Sequence, residues 1–501
     1  MRALALLLLA ACGDGSYLVV TVSARPTVHD VATLEVTQAN NGTSRTDTLA
    51  LGDHTLPATF SISTDGRSGE LALTINGKDA SNTVVALGAV TAMATDTDAT
   101  LQLDPADFVV NTDYAMDEFL TTDFETVGYQ LAATTDGKFT AAFRNTCTDT
   151  CNIFARTFGS DGLPIRTAAA AGTNQYTLSS ATTKDLAYPA IASQTAQGTA
   201  SIAVWDFTDT VGTGVGVACR GIDANGALTA GQRTISTDPA DTVTVAPLPT
   251  GNFAVSWQVY TPASAIHTMI AKPDCTTLGT TPTVVTNVAA TIDGPFRSSV
   301  AANGTAVLWA WIADDTIHVR AGTATAAFTL PESTVTPTPA GMQATAVRVA
   351  AMGTGFAVGI RYISKTTGMP GQLVLVRTTA TGLIMGTPIV ISAETGSDFT
   401  NGRRGFGIAT RADGQTLMVW AQCDDGSAGG CDGRLDVYGR LIDASGTAAP
   451  AAFMIPTTTV GSQTDPSVVA LADAFAVAWN DDSKANVDTD GTAVRARVIY
   501  P

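Results

Sequence analysis

Charge is scarce in this sequence. Only 14% of its 501 residues are charged, against about a quarter in ordinary soluble proteins. Lysine and glutamate are few, while threonine, valine, alanine and glycine abound, which favours strands and turns over helices. Positive charge is scarcer still: 27 Lys and Arg face 45 Asp and Glu, a formal net charge of -18. Such a surface repels phosphate backbones, so nucleic acid is excluded as a partner. The four histidines (His29, His54, His267, His318) are widely scattered and no CxxC occurs, so no zinc site is expected. The HExxH, GxSxG, Walker and nucleotide-binding glycine motifs are missing, so no residue is assigned a catalytic role. No apolar run reaches the about 20 residues that a membrane-spanning helix requires. What is present is a hydrophobic content of 45%, enough for a folded chain, and a length that implies two domains or one large repeat fold.

The N-terminus reads as an export signal. One positive charge at Arg2 precedes the apolar run Ala3 to Ala11, which ends at Cys12. Leu9-Ala10-Ala11-Cys12 resembles the lipobox of bacterial lipoproteins. The resemblance implies that residues 1–11 are removed, that Cys12 is lipidated, and that residues 12–15 link the lipid to the rest. The chain is then exported and held to a membrane of the cell envelope through Cys12. The outer membrane or cell surface is favoured over the inner membrane, because Gly13 follows Cys12 and the acidic inner-membrane retention signal is missing. Six further cysteines lie in a compartment that permits disulfides. Cys147 and Cys151 share one loop, Cys423 and Cys431 share another, and Cys219 and Cys275 are left to pair.

One alternating stretch recurs seven times. It is Phe139–Phe143, Ser201–Trp205, Phe253–Trp257, Thr305–Trp309, Phe356–Ile360, Thr416–Trp420 and Phe475–Trp479, spaced by roughly 50–60 residues. Five of the six tryptophans close a copy; Trp311 does not. A short apolar strand precedes each copy across a tight turn, as at Asn303-Gly304 or Asp413-Gly414. A third strand follows with one basic residue: Arg156, Arg220, Lys272, Arg320, Arg377, Arg440 or Arg497. A fourth strand such as Phe453-Met454-Ile455 closes the unit. Seven units of four antiparallel strands predict a seven-bladed β-propeller over residues 106–501. The pattern resembles repeats of exported bacterial surface proteins of the β-propeller type. The last copy stops after its third strand. Phe108-Val109-Val110-Asn111-Thr112 reads like Phe453-Met454-Ile455-Pro456-Thr457, so residues 107–111 are expected to complete the last blade. The alternative is that they end the preceding domain. The whole is an all-β chain, because residues 16–105 alternate in about seven short runs and suggest a small immunoglobulin-like β-sandwich. Its place next to the lipid suggests a spacer.

Function is expected in the loops that follow each second strand. They carry Asp206 and Asp209, then Asp314 and Asp315, then Asp424, Asp425 and Asp432, then Asp481 and Asp482. The off-pattern Trp311 joins them as a ligand-face candidate. Asn486, Asp488 and Asp490, before Gly491, resemble the start of a calcium loop and also the calcium hairpins of integrin-type propellers. The downstream glutamate of an EF-hand is replaced by Arg497, so the calcium reading stands beside that of a solvated turn. Beyond possible calcium, no cofactor is expected. The seven basic residues form either a positive ring or ties that pack across neighbouring blades. The leading reading is a surface lipoprotein whose propeller face binds a glycan, a peptide or a protein partner. A structural or assembly component of the envelope and a polysaccharide-acting enzyme are the alternatives.

Overall fold

The structure is a computed structural model, and it describes residues 16–111, 118–119, 130–145, 152–165, 175–179, 184–186, 189–194, 200–209, 215–223, 225–229, 231–259, 264–286, 298–328, 330–335, 338–366, 371–393, 405–423, 434–485 and 491–501. Among these residues every regular element is a strand, as a chain rich in β-branched residues and poor in strong helix formers requires. The chain divides into two compact units. The first comprises residues up to Phe108 with Asp161–Leu163 and Arg497–Tyr500; the second comprises Val109–Ser160, Pro164–Ala496 and Pro501.

The first unit holds seven strands: β1 (Tyr17–Ala24), β2 (Thr33–Asn40), β3 (Thr43–Ala50), β4 (Ala58–Ser63), β5 (Glu70–Lys78), β6 (Val84–Met93) and β7 (Asp98–Pro105). The count agrees with the sequence pattern. The strands follow one hydrogen-bonded order, β3-β2-β5-β6-β7-β1-β4. Strand β7 makes the connection. It runs parallel to β1 along six residue pairs from Val19↔Asp98 to Ala24↔Leu103, and it meets β6 only at Ala86↔Pro105 and Leu87↔Asp104. Alternation in β1, β2, β5 and β7 sends Leu18, Val20, Leu34, Val36, Leu73, Ile75, Leu101 and Leu103 into one core, as a period of two dictates. Asn41 and Gly42 both have positive φ, 50° and 78°, and form the two-residue turn between β2 and β3.

The second unit is a seven-bladed β-propeller. Blade 1 runs Leu131–Ala133, Phe139–Asn145, Ile153–Phe158 and Gln175–Thr177, with Glu118–Phe119 added along its second strand. Blades 2 to 6 repeat the antiparallel order. Their inner strands are Ala190–Ser193, Ala240–Pro247, Ser298–Asn303, Met342–Met352 and Phe406–Thr410. Blade 7 contains Gln463–Ala470, Phe475–Asp481 and Ala493–Ile499, and its fourth strand is Phe108–Val109. There Val110 N donates to Val494 O (2.7 Å), and Val494 N donates to Asn111 Oδ1 (2.6 Å). Each inner strand touches the inner strand of the next blade, and that of blade 7 touches that of blade 1. The ring is closed.

Bulky residues wedge between blades. Trp205, Trp257, Trp311 and Trp479 are at most 1% exposed and Trp420 is 3% exposed. Phe143 and Ile360 take the same slot in blades 1 and 5 and are fully buried. The basic residues of the third strands tie blades together. Arg220 Nη1 donates to Leu178 O of the preceding blade (2.8 Å), Arg320 Nη1 to Val285 O (2.6 Å) and Arg440 Nη1 to Ile391 O (2.7 Å). Each acceptor belongs to an apolar residue at the end of a fourth strand, at most 2% exposed. Arg377 instead reaches Ser445 O in the next blade (2.5 Å), and Arg497 Nε donates to Pro105 O (3.0 Å). These five third-strand arginines therefore each give a donor to a backbone carbonyl.

Candidate functional site

The inner strand of every blade is the edge strand of its sheet, and the seven edges enclose a central chamber of about 550 Å3. Its wall is built in tiers, each with one residue from every blade. The innermost tier is Leu131, Ile191, Val245, Val300, Val349, Ile408 and Val468. The next is Ala132, Ala192, Ala246, Ala301, Ala350, Ala409 and Val469. The third is Ala133, Ser193, Pro247, Ala302, Ala351, Thr410 and Ala470. The pairing explains the alignment. Ile191↔Ala203, Val245↔Val255, Val349↔Val358, Ile408↔Met418 and Val468↔Val477 occupy the same rung of their hairpins. Inner strands converge on the axis of the ring, so only small side chains fit in the outer tiers. The mouth lies where the first and second strands turn, at Thr134, Thr135, Arg411, Ala412, Leu471 and Ala472.

Among the described residues the lining is neutral except for Arg411. Arg411 Nη1 donates to Gln415 Oε1 (3.2 Å) and Asp473 O (3.1 Å), and Nη2 faces Asp413 Oδ2 at 2.9 Å. Its Nε is buried without a hydrogen-bond acceptor. One residue beyond the aliphatic tier the inner strands turn polar: Gln130, Thr244, Ser299, Arg348 and Ser467 are each at most 3% exposed. The apolar part of the chamber thus has a polar belt at one end and a hydroxyl-bearing mouth at the other.

Antiparallel strands place the connections between second and third strands at the opposite end from that mouth. Of the acids expected there, Asp314 and Asp315 form the tight turn of blade 4, both with positive φ (49° and 59°). Asp315 faces Lys365 Nζ at 2.9 Å. Asp481 is buried and ion-paired with Arg495 (Nε–Oδ2 2.6 Å; side chains 1% and 0% exposed). Gln463 Nε2 and Ser483 Oγ also donate to it, at 3.1 and 2.5 Å. Asp482 is exposed and accepts the backbone N–H of Ser462. Asp206 is 9% exposed on the second strand of blade 2, and Asp209 ends that strand. Trp311 is 1% exposed. Its ring stacks on His318 (5.8 Å, 21°) within the core shared with Trp309. Cys12, Cys147, Cys151, Asp424, Asp425, Cys431, Asp432, Asn486, Asp488 and Asp490 lie outside the described residues.

Cys219 and Cys275 are bonded, with Cα atoms 5.8 Å apart. The bridge joins the third strand of blade 2 to the last hairpin of blade 3. Cys423 is also disulfide-bonded; its partner lies outside the described residues. Two groups that pattern reading missed sit close by. Asp238 Oδ2 accepts His267 Nδ1 (2.8 Å) and Trp257 Nε1 (3.3 Å), and His318 Nδ1 meets Glu332 Oε1 at 2.7 Å. In both, a third-strand histidine lies directly across the ladder from a second-strand tryptophan: Trp257↔His267 and Trp311↔His318. That cross-strand relation is the signal that would have found them.

No known family model and no curated protein sequence matches the chain. Among solved structures it is similar to a protein of unknown function from Dyadobacter fermentans (10% identity, TM-score 0.40, 77% of this chain and 98% of that one). It is likewise similar to an α-L-arabinanase of Penicillium chrysogenum (11%, 0.41, 79% and 99%). A third is the β-propeller domain of the Trilobed protease from Pyrococcus furiosus (7%, 0.40, 74% and 96%).

Proposed function

We propose that this is a binding protein of the bacterial envelope, exported, lipid-anchored through Cys12, and engaging a glycan, a peptide or a protein partner with one end of its propeller. The observation that carries the reading is the way the ring is locked. Buried tryptophans, guanidinium-to-carbonyl bonds and the Cys219–Cys275 bridge hold seven sheets as one scaffold, and a rigid scaffold is what positions recognition loops. The disulfides support an oxidising compartment and hence export. Exposed carboxylates at Asp314 and Asp482 give the loop end an acidic character that suits hydroxyl-rich or basic ligands.

The test is thermal unfolding of residues 16–501 with a panel of soluble glycans, with calcium and with chelator. A ligand that binds only the folded state stabilises it by about 2.7 kcal/mol at a hundredfold excess over its dissociation constant. A shift with one sugar class supports glycan binding. A shift with calcium alone assigns the metal to the loop of Asn486, Asp488 and Asp490. If no additive shifts the midpoint, crosslinking in the envelope decides. One constant protein partner then favours the structural role, and no partner at all removes the binding reading.

A further inference from the structure

The neutral chamber at the other end of the ring has no part in that reading, and its dimensions and charge specify a ligand class. Its wall is three strand residues deep, as in Ile408–Thr410 and Val468–Ala470, and the turn residues Arg411, Ala412, Leu471 and Ala472 rim the mouth. Three strand residues span about 10 Å, so a chamber of about 550 Å3 averages roughly 8 Å across. That is stubby and wide, a shape for a ring system rather than for one extended alkyl chain. The volume lies within the range of small-molecule sites. The tiers of Leu, Ile, Val and Ala supply the apolar contact.

The charge pattern is selective. The chain carries 45 acidic residues, yet among the described residues none lines the chamber, and the one charged lining residue among them is the cation Arg411. Its two terminal nitrogens are engaged by Asp413, Gln415 and Asp473, while its Nε–H is buried with no acceptor. That nitrogen is enclosed by protein, and the 12% of the Arg411 side chain that stays open is where an anionic oxygen at the mouth would meet the cation. Thr134 stands at the level of Arg411, with Thr410 one residue below and Thr135 one residue above. We propose that the chamber is a binding site for a compact aromatic or polycyclic acid, its ring system seated among the alanine tiers and its anionic group held at the mouth by Arg411.

The probe for the test is anilinonaphthalene sulfonate, a fused ring with an anionic group, compared with the uncharged phenylnaphthylamine. Both fluoresce when removed from water. Full-length protein is expected to bind one probe per chain, and the anionic probe at least tenfold more tightly. Filling the half-buried third tier with Ala302→Leu, Ala351→Leu and Ala470→Leu is expected to weaken both probes at least tenfold with the thermal midpoint retained. Arg411→Gln is expected to erase the preference for the anionic probe and leave the neutral one unchanged, which keeps the proposal testable if the filled variant does not fold. The proposal is overturned if neither probe saturates, if the folded, filled variant binds as the parent does, or if Arg411→Gln leaves the anion preference intact. None of these outcomes bears on ligands at the loop end, so the two readings fail separately.

Discussion

Arg156 Nη1 donates to the carbonyl oxygen of Val110 at 2.5 Å, and this bond ties the first blade to the strand that completes the last. Both residues are buried, at 5% and 0% exposed. The same bond recurs at Arg220, Arg320 and Arg440, so it is a property of the repeat.

Arg156→Met should keep most of the packing of the stem and remove the donor. The loss expected is about 1–3 kcal/mol, the cost of a buried carbonyl deprived of its partner. Urea unfolding of Arg156→Met beside Arg220→Met measures it. Equal losses would show that the closing seam is no weaker than an ordinary one. Stability unchanged in both would mean that water replaces the guanidinium.

The Asp481–Arg495 pair gives a sharper contrast. Arg495→Met alone strands a carboxylate that is 1% exposed and should cost about 3–5 kcal/mol. Adding Asp481→Leu should recover most of that loss, because removing both charges also removes their desolvation cost. A double-mutant cycle by denaturant titration reads the coupling.

Asp465 makes stability depend on pH in an unusual direction. Burial pushes its carboxyl from an ordinary 3.8 up to about 6, and hydrogen bonds from Thr464, Gly405 and Asn480 offset this only in part. Between pH 4 and 6 the unfolded chain loses this proton while the folded chain keeps it. Stability therefore falls as pH rises through the window and levels off above it, by about 3 kcal/mol at about 1.4 kcal/mol per unit. Asp465→Asn should match the parent below pH 4 and exceed it at pH 7. The substitution also suits the backbone, since φ is 53° and asparagine tolerates that region. Denaturant midpoints of both proteins at the two pH values check it.

The Cys219–Cys275 bridge spans 56 residues. Closing a loop of that length is worth about 4 kcal/mol on the chain-entropy model. Replacing both cysteines by alanine should lower stability by about that amount in guanidinium titration, whereas replacing Cys423 alone leaves this bridge intact.

The architecture was legible where it repeats. Phe475–Trp479 and its six relatives carry the second strands, but blade 4 stands two residues out of step: Trp311, across from His318 as Trp257 is from His267, takes the rung of the other tryptophans, and Trp309 lies across from Arg320. The first unit was legible in its buried strands only. Thr43–Ala50 is half-buried at best along its whole length, so no alternation marks it. The parallel pairing of β1 with β7, which joins the strands into one order, leaves no local trace. The chamber was written as Val300-Ala301-Ala302 and Val349-Ala350-Ala351. Small residues in a strand carry no chemistry until the ring brings seven such strands to one axis. Asp481 misled in the other direction: an aspartate beside a loop reads as a surface group, and only the fold shows Arg495 beneath it.

The seam of blade 7 sets a schedule. Val494 N and Asn111 Oδ1 are 383 positions apart in the chain, so the ring cannot close until the strand that carries Val494 has been made. Six blades can form in turn as they leave the ribosome, but the final ladder waits for the last strand. Until then Val110 and Asn111 have no partner there. A chain in that condition stays open, and it acquires its full resistance to unfolding only once that strand has docked.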